Sequence, residues 1–287
     1  MRPHPFEFHR AAGLAEALAL KASHGDEAAF YAGGTELLVA LKARVLQYTH
    51  LIDIKRIAEL RGIRPGKEGG LVIGALSTHH GISNDPLVRR LLPAYAELSE
   101  QVGNIRVRIA GTVGGVLCFA EPHADAPTLL CALDARLRLA GADGERTLPS
   151  RDFHLGEFTT ARRDDELLVS IEVPPQPEGS RAAYRCFGKA ERPAVGVAAV
   201  WREEGPSRLS LWAGAIVGAP TRLVQTEKAA GELPTGLNAE QVWQRLQPVV
   251  AAEAARLDAS DDLHGGADYK KHLVAVLAKR AIEACLS

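Results

Sequence analysis

Short apolar runs alternate with helical patterns in the first part of the chain. Residues 13–24 are typical of a helix, and the apolar run "AAFYA" at 28–32 predicts a buried strand. The run "TELLVALKARV" that follows predicts a helix opened by Thr35, a residue type that suits the N-cap. A further apolar run, "HLIDI" at 50–54, predicts another strand. The two glycines before the second helix therefore lie at a predicted strand-to-helix turn.

The middle of the chain mixes hairpin and helix signals. The run "GGLVIGAL" at 69–76 follows a Pro-Gly-Lys-Glu-Gly-Gly connection, which predicts a hairpin. A helix is predicted from Pro86 to about Val102, and a second glycine-rich turn, "AGTVGGVLCFAEPHADAP", precedes another predicted helix near 127–134. The N-terminal half is therefore predicted to be mixed rather than a strict β-α-β alternation.

A break in the pattern divides the chain after the predicted strand "ELLVSIEV". Three prolines and a glycine in "VPPQPEGS" at 173–180 mark a boundary. Beyond it, "AVGVAAVW" and "RLSLWAGAIVG" predict antiparallel strands, and "GGADYKKHLVAVLAKRAIEACL" has helical apolar recurrence. The predicted fold class is α+β, with a first domain over 1–174, divided at about residue 55 into 1–55 and 56–174, and a small C-terminal domain over 178–287.

Composition and charge exclude several classes of protein. The 287 residues are 46% hydrophobic, which is ample for a folded core. The 34 basic and 35 acidic residues leave a net charge of -1, and no basic run favours a nucleic-acid partner. The sequence lacks the roughly 18 consecutive apolar residues of a membrane span and the apolar core of a signal peptide. A cytoplasmic location is the resulting prediction.

Cysteine and histidine positions do not predict a metal site. The four cysteines, at 118, 131, 186 and 285, form no CxxC pair and have no histidine at ligand spacing. Zinc and an iron–sulfur cluster held by this chain are disfavoured, and buried thiols are predicted. His79 and His80 lack an acidic pair at metal spacing, so we predict that they start a helix and are exposed at the surface.

Two glycine loops carry the main chemical signal. The first glycine loop comprises Ala32–Glu36 and the second comprises Gly111–Gly115. Each offers backbone N–H groups without an obstructing Cβ, and the first runs into a predicted helix N-terminus, which favours an anion such as phosphate. A tight turn with positive φ is the alternative for either loop alone.

The composition of these loops restricts how they could hold a phosphate. Neither contains Lys or Arg, so backbone donors would hold a diphosphate and Glu36 would point away from it. The chain has neither GxxxxGK[ST] nor a GxGxxG after a first strand, which excludes the P-loop and the Rossmann fingerprint. A dinucleotide clamped between two separate loops is the remaining prediction.

Five segments together resemble a known family. "YAGGTELLVALK", "LIDIKRIAELRGI", "LVIGALST", "GTVGGVLCFAEPHADAP" and "SRDFHLGEFTT", in this order, are similar to the FAD-binding medium subunit of the molybdenum hydroxylases, such as aerobic carbon monoxide dehydrogenase and xanthine dehydrogenase. The C-terminal "DDLHGGADYKKHLVAVLAKRAIEA" resembles that family's closing helix. The resemblance implies a two-part FAD-binding domain of the PCMH/vanillyl-alcohol-oxidase-like type, followed by a small α+β domain.

The resemblance also implies site residues for a non-covalent FAD. Both loops would donate backbone N–H groups to its diphosphate. The implied diphosphate residues are Ala32, Gly33, Gly34, Thr35, Glu36, Gly111, Thr112, Val113, Gly114 and Gly115. Valine at Gly33 or Gly114 is expected to abolish FAD retention by filling the phosphate's space.

Four further positions are implied on the flavin side, each with a plain alternative. Asp125 would hydrogen-bond the sugar-alcohol portion of FAD, or it caps a helix. Leu168 would pack near the flavin or adenine, or it is an ordinary buried strand residue. Lys189 would lie close to the isoalloxazine, or it is a solvated surface lysine. Thr78 would contact the flavin side, or Ser77 and Thr78 simply cap a helix.

Two departures from the family pattern concern the second loop. Val116 stands where the family commonly has asparagine, and Arg108-Ile109 stands where it has Arg-Asn. FAD binding is expected to survive these changes if backbone amides dominate. The cysteine-rich insertion of the aromatic-acyl-CoA reductase branch is missing, which disfavours that branch.

The resemblance implies an oxidoreductase subunit with no catalytic side chain of its own. Its flavin would pass electrons between 2Fe-2S clusters on a small partner subunit and an external acceptor, while a large partner subunit carries molybdopterin, in a dimer of heterotrimers. A flavin-free assembly subunit of such a complex is the alternative. A stand-alone flavin oxidase is weaker, because no His or Cys is placed for covalent flavin attachment.

Overall fold

The computed structural model describes residues 2–188, 192–203, 207–216 and 218–287. Strands and helices alternate at its N-terminal end, and the three strands form a parallel sheet in the order β1-β3-β2. The elements of this part are β1 (Glu7–Arg10), α1 (Leu14–His24), β2 (Ala28–Tyr31), α2 (Leu37–Ala43) and β3 (His50–Asp53). The predictions of α1, β2 and β3 are confirmed. Strand β1 was not predicted, because its sequence Glu-Phe-His-Arg contains one apolar residue.

The start of α2 differs from the prediction. Glu36, not Thr35, occupies the N-cap, and its side chain makes no capping hydrogen bond. The chain turns through Gly34, whose φ of +72° lies in the left-handed region that favours glycine. The alternative of a positive-φ turn is therefore confirmed at Gly34. Because α2 has only seven residues, its dipole contributes less than the longer predicted helix would have done.

The middle of the chain combines an antiparallel sheet with short helices. The sheet has the order β4-β5-β10-β6-β7, and β8 pairs with β9 beside it. The elements are β4 (Ile63–Pro65), β5 (Leu71–Gly74), α3 (His79–Asn84), α4 (Pro86–Leu91), α5 (Pro93–Gln101), α6 (Ile105–Ala110), α7 (Val113–Phe119), α8 (Ala126–Ala132), β6 (Arg136–Gly141), β7 (Gly144–Pro149), β8 (His154–Gly156), β9 (Thr159–Thr160) and β10 (Leu167–Val173). The hairpin prediction is confirmed by the antiparallel pairing of β4 with β5.

Two predictions in this region are wrong in detail. The helix predicted from Pro86 to Val102 is two helices, because Pro93 lacks a backbone N–H and keeps Leu92 out of helical geometry (φ -137°, ψ 57°). The second glycine-rich turn is largely helical. It contains the end of α6 and the whole of α7, so Gly114 and Gly115 lie in the first turn of a helix that Thr112 caps through its side chain.

The C-terminal part is an antiparallel sheet covered by helices, as predicted. The sheet order is β11-β12-β13-β14, and α11 packs on β12 and β11. The elements are β11 (Arg181–Phe187), β12 (Val195–Trp201), β13 (Leu209–Gly214), β14 (Thr221–Arg222), α9 (Val224–Gly231), α10 (Ala239–Ala254) and α11 (Ala267–Leu286). The α+β fold class is confirmed. None of the helices built from the described residues is both long and apolar enough to span a membrane.

Buried apolar side chains form three clusters. The largest joins the five-stranded sheet to α5, α7 and α8, and also receives Tyr184 and Trp212 from the C-terminal sheet. The others lie between α1 and the parallel sheet, and between the C-terminal sheet and its helices. Cys131 and Cys285 are buried as predicted, whereas Cys118 is partly buried and Cys186 is exposed, so the prediction of buried thiols is wrong for Cys186.

Candidate functional site

A cavity of about 490 Å³ opens between the parallel sheet and the larger sheet, within the size range of cofactor sites. Both glycine loops line it, together with the residues after β5 and the start of β10. The predicted site residues that line the cavity are Ala32, Gly33, Gly34, Thr35, Glu36, Gly111, Thr112, Gly114, Gly115 and Leu168. Loops eighty residues apart thus meet at one cavity, as the clamp hypothesis requires.

Three predicted site residues lie off the cavity lining. Val113 and Thr78 do not line the cavity, and the Thr78 side chain caps α3 by accepting from the N–H of Gly81 at 3.0 Å. Asp125 also lies off the cavity lining. Lys189 lies outside the described residues. Contacts of these residues with a flavin stay predictions.

The two glycines of the first loop are required by close neighbours inside the protein. A Cβ on Gly33 would lie 2.0 Å from the carbonyl oxygen of Ala110, at the end of α6. A Cβ on Gly34 would lie 2.5 Å from the ring of Tyr31. The sequence had suggested that these positions are bare to admit a phosphate. The structure gives other reasons: at Gly33 the backbone packs directly on the backbone of Ala110 and Gly111, and at Gly34 the ring of Tyr31 fills the space.

Gly114 has a similar role against the larger sheet. A Cβ there would lie 2.7 Å from the Cβ of Ala75 and 2.8 Å from its carbonyl oxygen. The backbone N–H of Gly114 donates to that same oxygen at 2.8 Å. At Gly115 a Cβ would meet only the hydroxyl oxygen of Thr112, at 2.9 Å. Gly114 therefore fixes α7 to the end of β5, whereas Gly115 has room once one hydroxyl rotates.

The two loops differ in the donors that they leave free. Within the described parts of the chain, no backbone N–H from Gly33 to Glu36 donates a hydrogen bond. In the second loop, donors already used inside the protein are Gly111 (to Val107 O, 2.6 Å), Val113 (to Ser77 O, 3.0 Å), Gly114 (to Ala75 O, 2.8 Å) and Gly115 (to Thr112 Oγ1, 3.1 Å). Both loops were expected to donate; among the described residues most of the free donors lie in the first loop, and the second keeps only the N–H of Thr112.

These donors fit an anionic group. Unpaired backbone N–H groups that converge on a cavity are a common phosphate site. The hydroxyl of Thr112 accepts from Gly115 and still has its own hydrogen to donate. The described residues at this end of the cavity therefore suit the diphosphate of a dinucleotide.

A basic residue that the loops lack comes from a distant part of the chain. Arg192 contacts the carboxylate of Glu36 at 2.9 Å and that of Glu121 at 3.0 Å. Burial raises the pKa of Glu121, and the positive charge of Arg192 opposes this shift. Glu36 lines the cavity, and the positive charge of Arg192 partly offsets the negative charge that its carboxylate would place beside a phosphate.

We expect Arg192→Ala to weaken FAD binding roughly threefold to tenfold, because Glu36 would then repel the diphosphate. The effect is modest since Arg192 is 43% exposed. Fluorescence titration of the apoprotein with FAD measures it. Arg138→Ala is the matched control, because it breaks an ion pair of similar length (Arg138 to Glu145, 2.8 Å) away from the cavity lining. Equal affinities for both variants would exclude this role for Arg192.

Several charged or polar residues that were not predicted as site residues also line the cavity. Lys21, Arg162 and His79 all line the cavity. Lys21 is buried, its ammonium group donates to the carbonyl oxygens of Gly25 (2.7 Å) and Ala28 (2.9 Å), and burial lowers its pKa. No motif marked Lys21 or Arg162, because each reaches the cavity only through the packing of the sheets.

His79 corrects an expectation. His80 is exposed as predicted, but His79 is only 3% exposed, because the first residue of α3 faces the second glycine loop. Burial, and then the charge of Arg108, lower the pKa of His79 to about 4, so its ring is neutral at pH 7. Among the described residues its Nδ1 atom has no hydrogen-bond partner. A buried polar atom without a partner suits a site that a polar ligand completes.

Asp125 has a different partner from the predicted ones. It occupies the N-cap position of α8 without a side-chain capping bond, so the capping alternative is wrong. Its Oδ1 accepts the hydroxyl of Tyr184 from β11 at 2.7 Å. Burial raises the pKa of Asp125 to about 6, although the hydrogen bond from Tyr184 lowers it.

This shift predicts a pH effect on stability. The folded pKa of about 6 exceeds the unfolded value of 3.8, so the folded state binds the proton more tightly. The contribution of this group to the free energy of unfolding is complete below pH 3.8 and is lost as the pH rises through about 6. The total loss is on the order of 3 kcal/mol. In Asp125→Asn, the free energy of unfolding from urea curves is expected to decrease less between pH 4 and 6 than in the wild type. An unchanged pH profile in Asp125→Asn would contradict the assignment.

Comparisons with known proteins agree with the geometry. Residues 4–176 match the family model described as the FAD binding domain in molybdopterin dehydrogenase. The chain is 35% identical to the carbon monoxide dehydrogenase medium chain of Hydrogenophaga pseudoflava, over 99% of this chain and 98% of that one. It is 30% identical to the xanthine dehydrogenase FAD-binding subunit of Escherichia coli O157:H7, over 96% of this chain and 94% of that one.

A solved structure shows the same fold over the whole chain. The carbon monoxide dehydrogenase of Hydrogenophaga pseudoflava that lacks the Mo-pyranopterin moiety of its cofactor superposes with a TM-score of 0.91, at 33% identity, covering 99% of this chain and 98% of that one. The predicted resemblance and fold class are confirmed. The chain belongs to the FAD-binding medium subunits of the molybdenum hydroxylases, a family of oxidoreductase subunits.

Proposed function

We propose that this chain is the electron-transfer subunit of a multi-subunit molybdenum hydroxylase. It passes electrons between the 2Fe-2S clusters of a small partner subunit and an external acceptor, while a large partner subunit carries the molybdopterin. The observation that carries the proposal is the cavity between the two glycine loops, with free backbone donors from Gly33 to Glu36. The similarity to a carbon monoxide dehydrogenase medium chain supports the type of complex.

Each part of the cavity has a role in this proposal. When bound, FAD takes up and releases one or two electrons and so connects single-electron clusters to an acceptor. The first glycine loop and the hydroxyl of Thr112 would hold the diphosphate, and Arg192 would partly offset the charge of Glu36. Leu168 and Val116 supply apolar lining that excludes water. The unpaired Nδ1 of His79 offers an uncharged hydrogen-bond partner.

The assembly and its location are part of the proposal. We place the chain in a dimer of heterotrimers in the cytoplasm, with the substrate hydroxylated on the large subunit. The four cysteines are free and dispersed over the fold, which supports cluster binding by another chain. No side chain of this chain acts on the organic substrate.

The alternative is a flavin-free assembly subunit. Its support is Val116 and Ile109, where the family has side-chain donors. Val116 lines the cavity, but Ile109 does not and is 57% exposed, so only Val116 changes the lining. The backbone N–H of Val116 donates to Thr112 O at 3.0 Å, and the free donors of the first loop are unaffected by this substitution. The geometry therefore favours the FAD-containing form.

Purification of the native complex distinguishes these functions. The chain is tagged in its source organism, and FAD, molybdenum and iron are measured in the isolated complex. We expect all three, with two partner chains. Molybdenum and iron without flavin would support the assembly subunit. A yellow chain that turns over a substrate without partners would indicate a stand-alone flavin oxidase.

A further inference from the structure

Three histidines from separate elements meet at one edge of the parallel sheet. His9 lies in β1, His24 ends α1 and His50 begins β3. One ring nitrogen from each lies within 4.8 Å of the others. His9 Nε2 and His50 Nδ1 are 3.0 Å apart, and the rings of His24 and His50 stack with centroids 3.8 Å apart. We call these residues the histidine cluster.

The register of the sheet explains the juxtaposition. Glu7 is paired with His50 across the parallel strands β1 and β3, and side chains two residues apart on a strand share a face. Glu7, His9 and His50 therefore lie on one face. Helix α1 packs on the sheet through a shared apolar cluster, and its last residue brings His24 to the same place.

The spacing suits a metal ion better than a hydrogen bond alone. A His–His hydrogen bond needs one donor and one acceptor, which accounts for His9 and His50. It does not account for the His24 nitrogen beside them, although the His24 ring also stacks on His50. Two nitrogen ligands of a tetrahedral zinc ion, each at 2.0–2.1 Å, lie about 3.3 Å from one another. The 3.0 Å between His9 and His50 is close to this value.

A fourth ligand is also within reach. The Glu7 carboxylate lies 3.7 Å from His50 Nδ1 and 3.9 Å from His9 Nε2. Its side chain is 74% exposed and can rotate, whereas those of His9 and His50 are 23% and 16% exposed and are held by the sheet. Imidazole nitrogens with one carboxylate favour zinc and similar divalent transition metals over calcium or magnesium.

We propose that His9, His24 and His50 form a zinc site, with Glu7 or water as fourth ligand. None of the four residues lines the flavin cavity. The ion would tie the N-terminal strand β1 to α1 and β3, and its role would be structural. The site is independent of the electron-transfer function, and either can fail without the other.

Cobalt titration tests the site. The untagged full-length chain, loaded with FAD and stripped with a chelator, is titrated with Co²⁺ and then with Zn²⁺ in competition. We expect about one equivalent of Co²⁺ with the visible spectrum of a four-coordinate ion, displaced by Zn²⁺. Thermal melting in Zn²⁺ is expected at a higher temperature than without it.

Variants identify the ligands. His24→Ala is expected to weaken Co²⁺ binding at least tenfold, and His24→Asn, which keeps a polar side chain at the helix end, should do the same. His272→Ala removes an exposed histidine of α11 and serves as the control. Circular dichroism and FAD content confirm that each variant is folded. Wild-type affinity in both His24 variants, or a six-coordinate spectrum in the wild type, would overturn the proposal.

Discussion

Gly33→Ala is expected to weaken FAD binding by on the order of 100-fold, although the change adds one methyl group. The new Cβ would lie 2.0 Å from the carbonyl oxygen of Ala110, a backbone atom that no rotamer change can move. The first glycine loop must therefore shift, and it carries most of the free backbone donors of the site. Losing two hydrogen bonds to a charged diphosphate costs about 3 kcal/mol, which corresponds to that factor.

Gly13→Ala is the matched control for this experiment. A Cβ on Gly13 meets nothing within 4 Å, and the residue has an extended backbone before α1. Both proteins are purified, their FAD is released by denaturation, and the apoproteins are titrated with FAD. If Gly33→Ala bound FAD as tightly as Gly13→Ala, the loop would not hold the cofactor.

The second large effect is expected at Gly114. In Gly114→Ala, the Cβ would lie 2.7 Å from the Cβ of Ala75 and force α7 away from the end of β5. The hydrogen bond from the Gly114 N–H to Ala75 O would be strained as well. Overpacking and strain together cost about 2–3 kcal/mol, so the melting temperature should fall roughly 3–5 °C. FAD retention should fall with it, because α7 positions the second glycine loop.

Gly115→Ala shows whether the loss at Gly114 comes from packing on Ala75 or from any side chain added to this helix turn. Gly115→Ala introduces a contact of 2.9 Å with the Thr112 hydroxyl oxygen alone, which can rotate away. Its expected cost is that of a lost helix cap, about 1 kcal/mol. Calorimetry compares the two variants. Equal losses of stability would mean that packing on Ala75 does not explain Gly114.

The sequence predicted the fold class because its signals are local. Helix α1, strands β2 and β3, the β4–β5 hairpin and helix α11 each show their period within one segment. Pro93 is visible in the sequence as a helix breaker, but the apolar residues continue across it. The segment was therefore predicted as one helix instead of two. Strand β1 has too few apolar residues to be recognised and exists through its pairing with β3.

The candidate site was predicted in part. The glycine loops were found because the absence of side chains is visible in a sequence. The reason for the glycines was not found, because the clash of a Gly33 side chain with Ala110 depends on contacts between residues far apart in the chain. The same limit applies to Arg192, which reaches Glu36 across 156 positions.

Burial of single polar residues was the least predictable feature. His79 and His80 are identical neighbours, yet one lines the cavity and the other faces solvent, since helix α3 begins between the second glycine loop and the surface. The histidine cluster joins residues up to 41 positions apart through strand register. Ligand spacing along the chain therefore could not reveal it.

The FAD content of the untagged wild-type chain tests the central claim most directly. The protein is denatured, and the released flavin is identified and counted against the chain concentration. We expect about one FAD per chain, released without covalent attachment, and uptake of the same amount when the refolded apoprotein is titrated. A colourless wild-type protein that takes up no FAD on refolding and titration would contradict the assignment of the cavity.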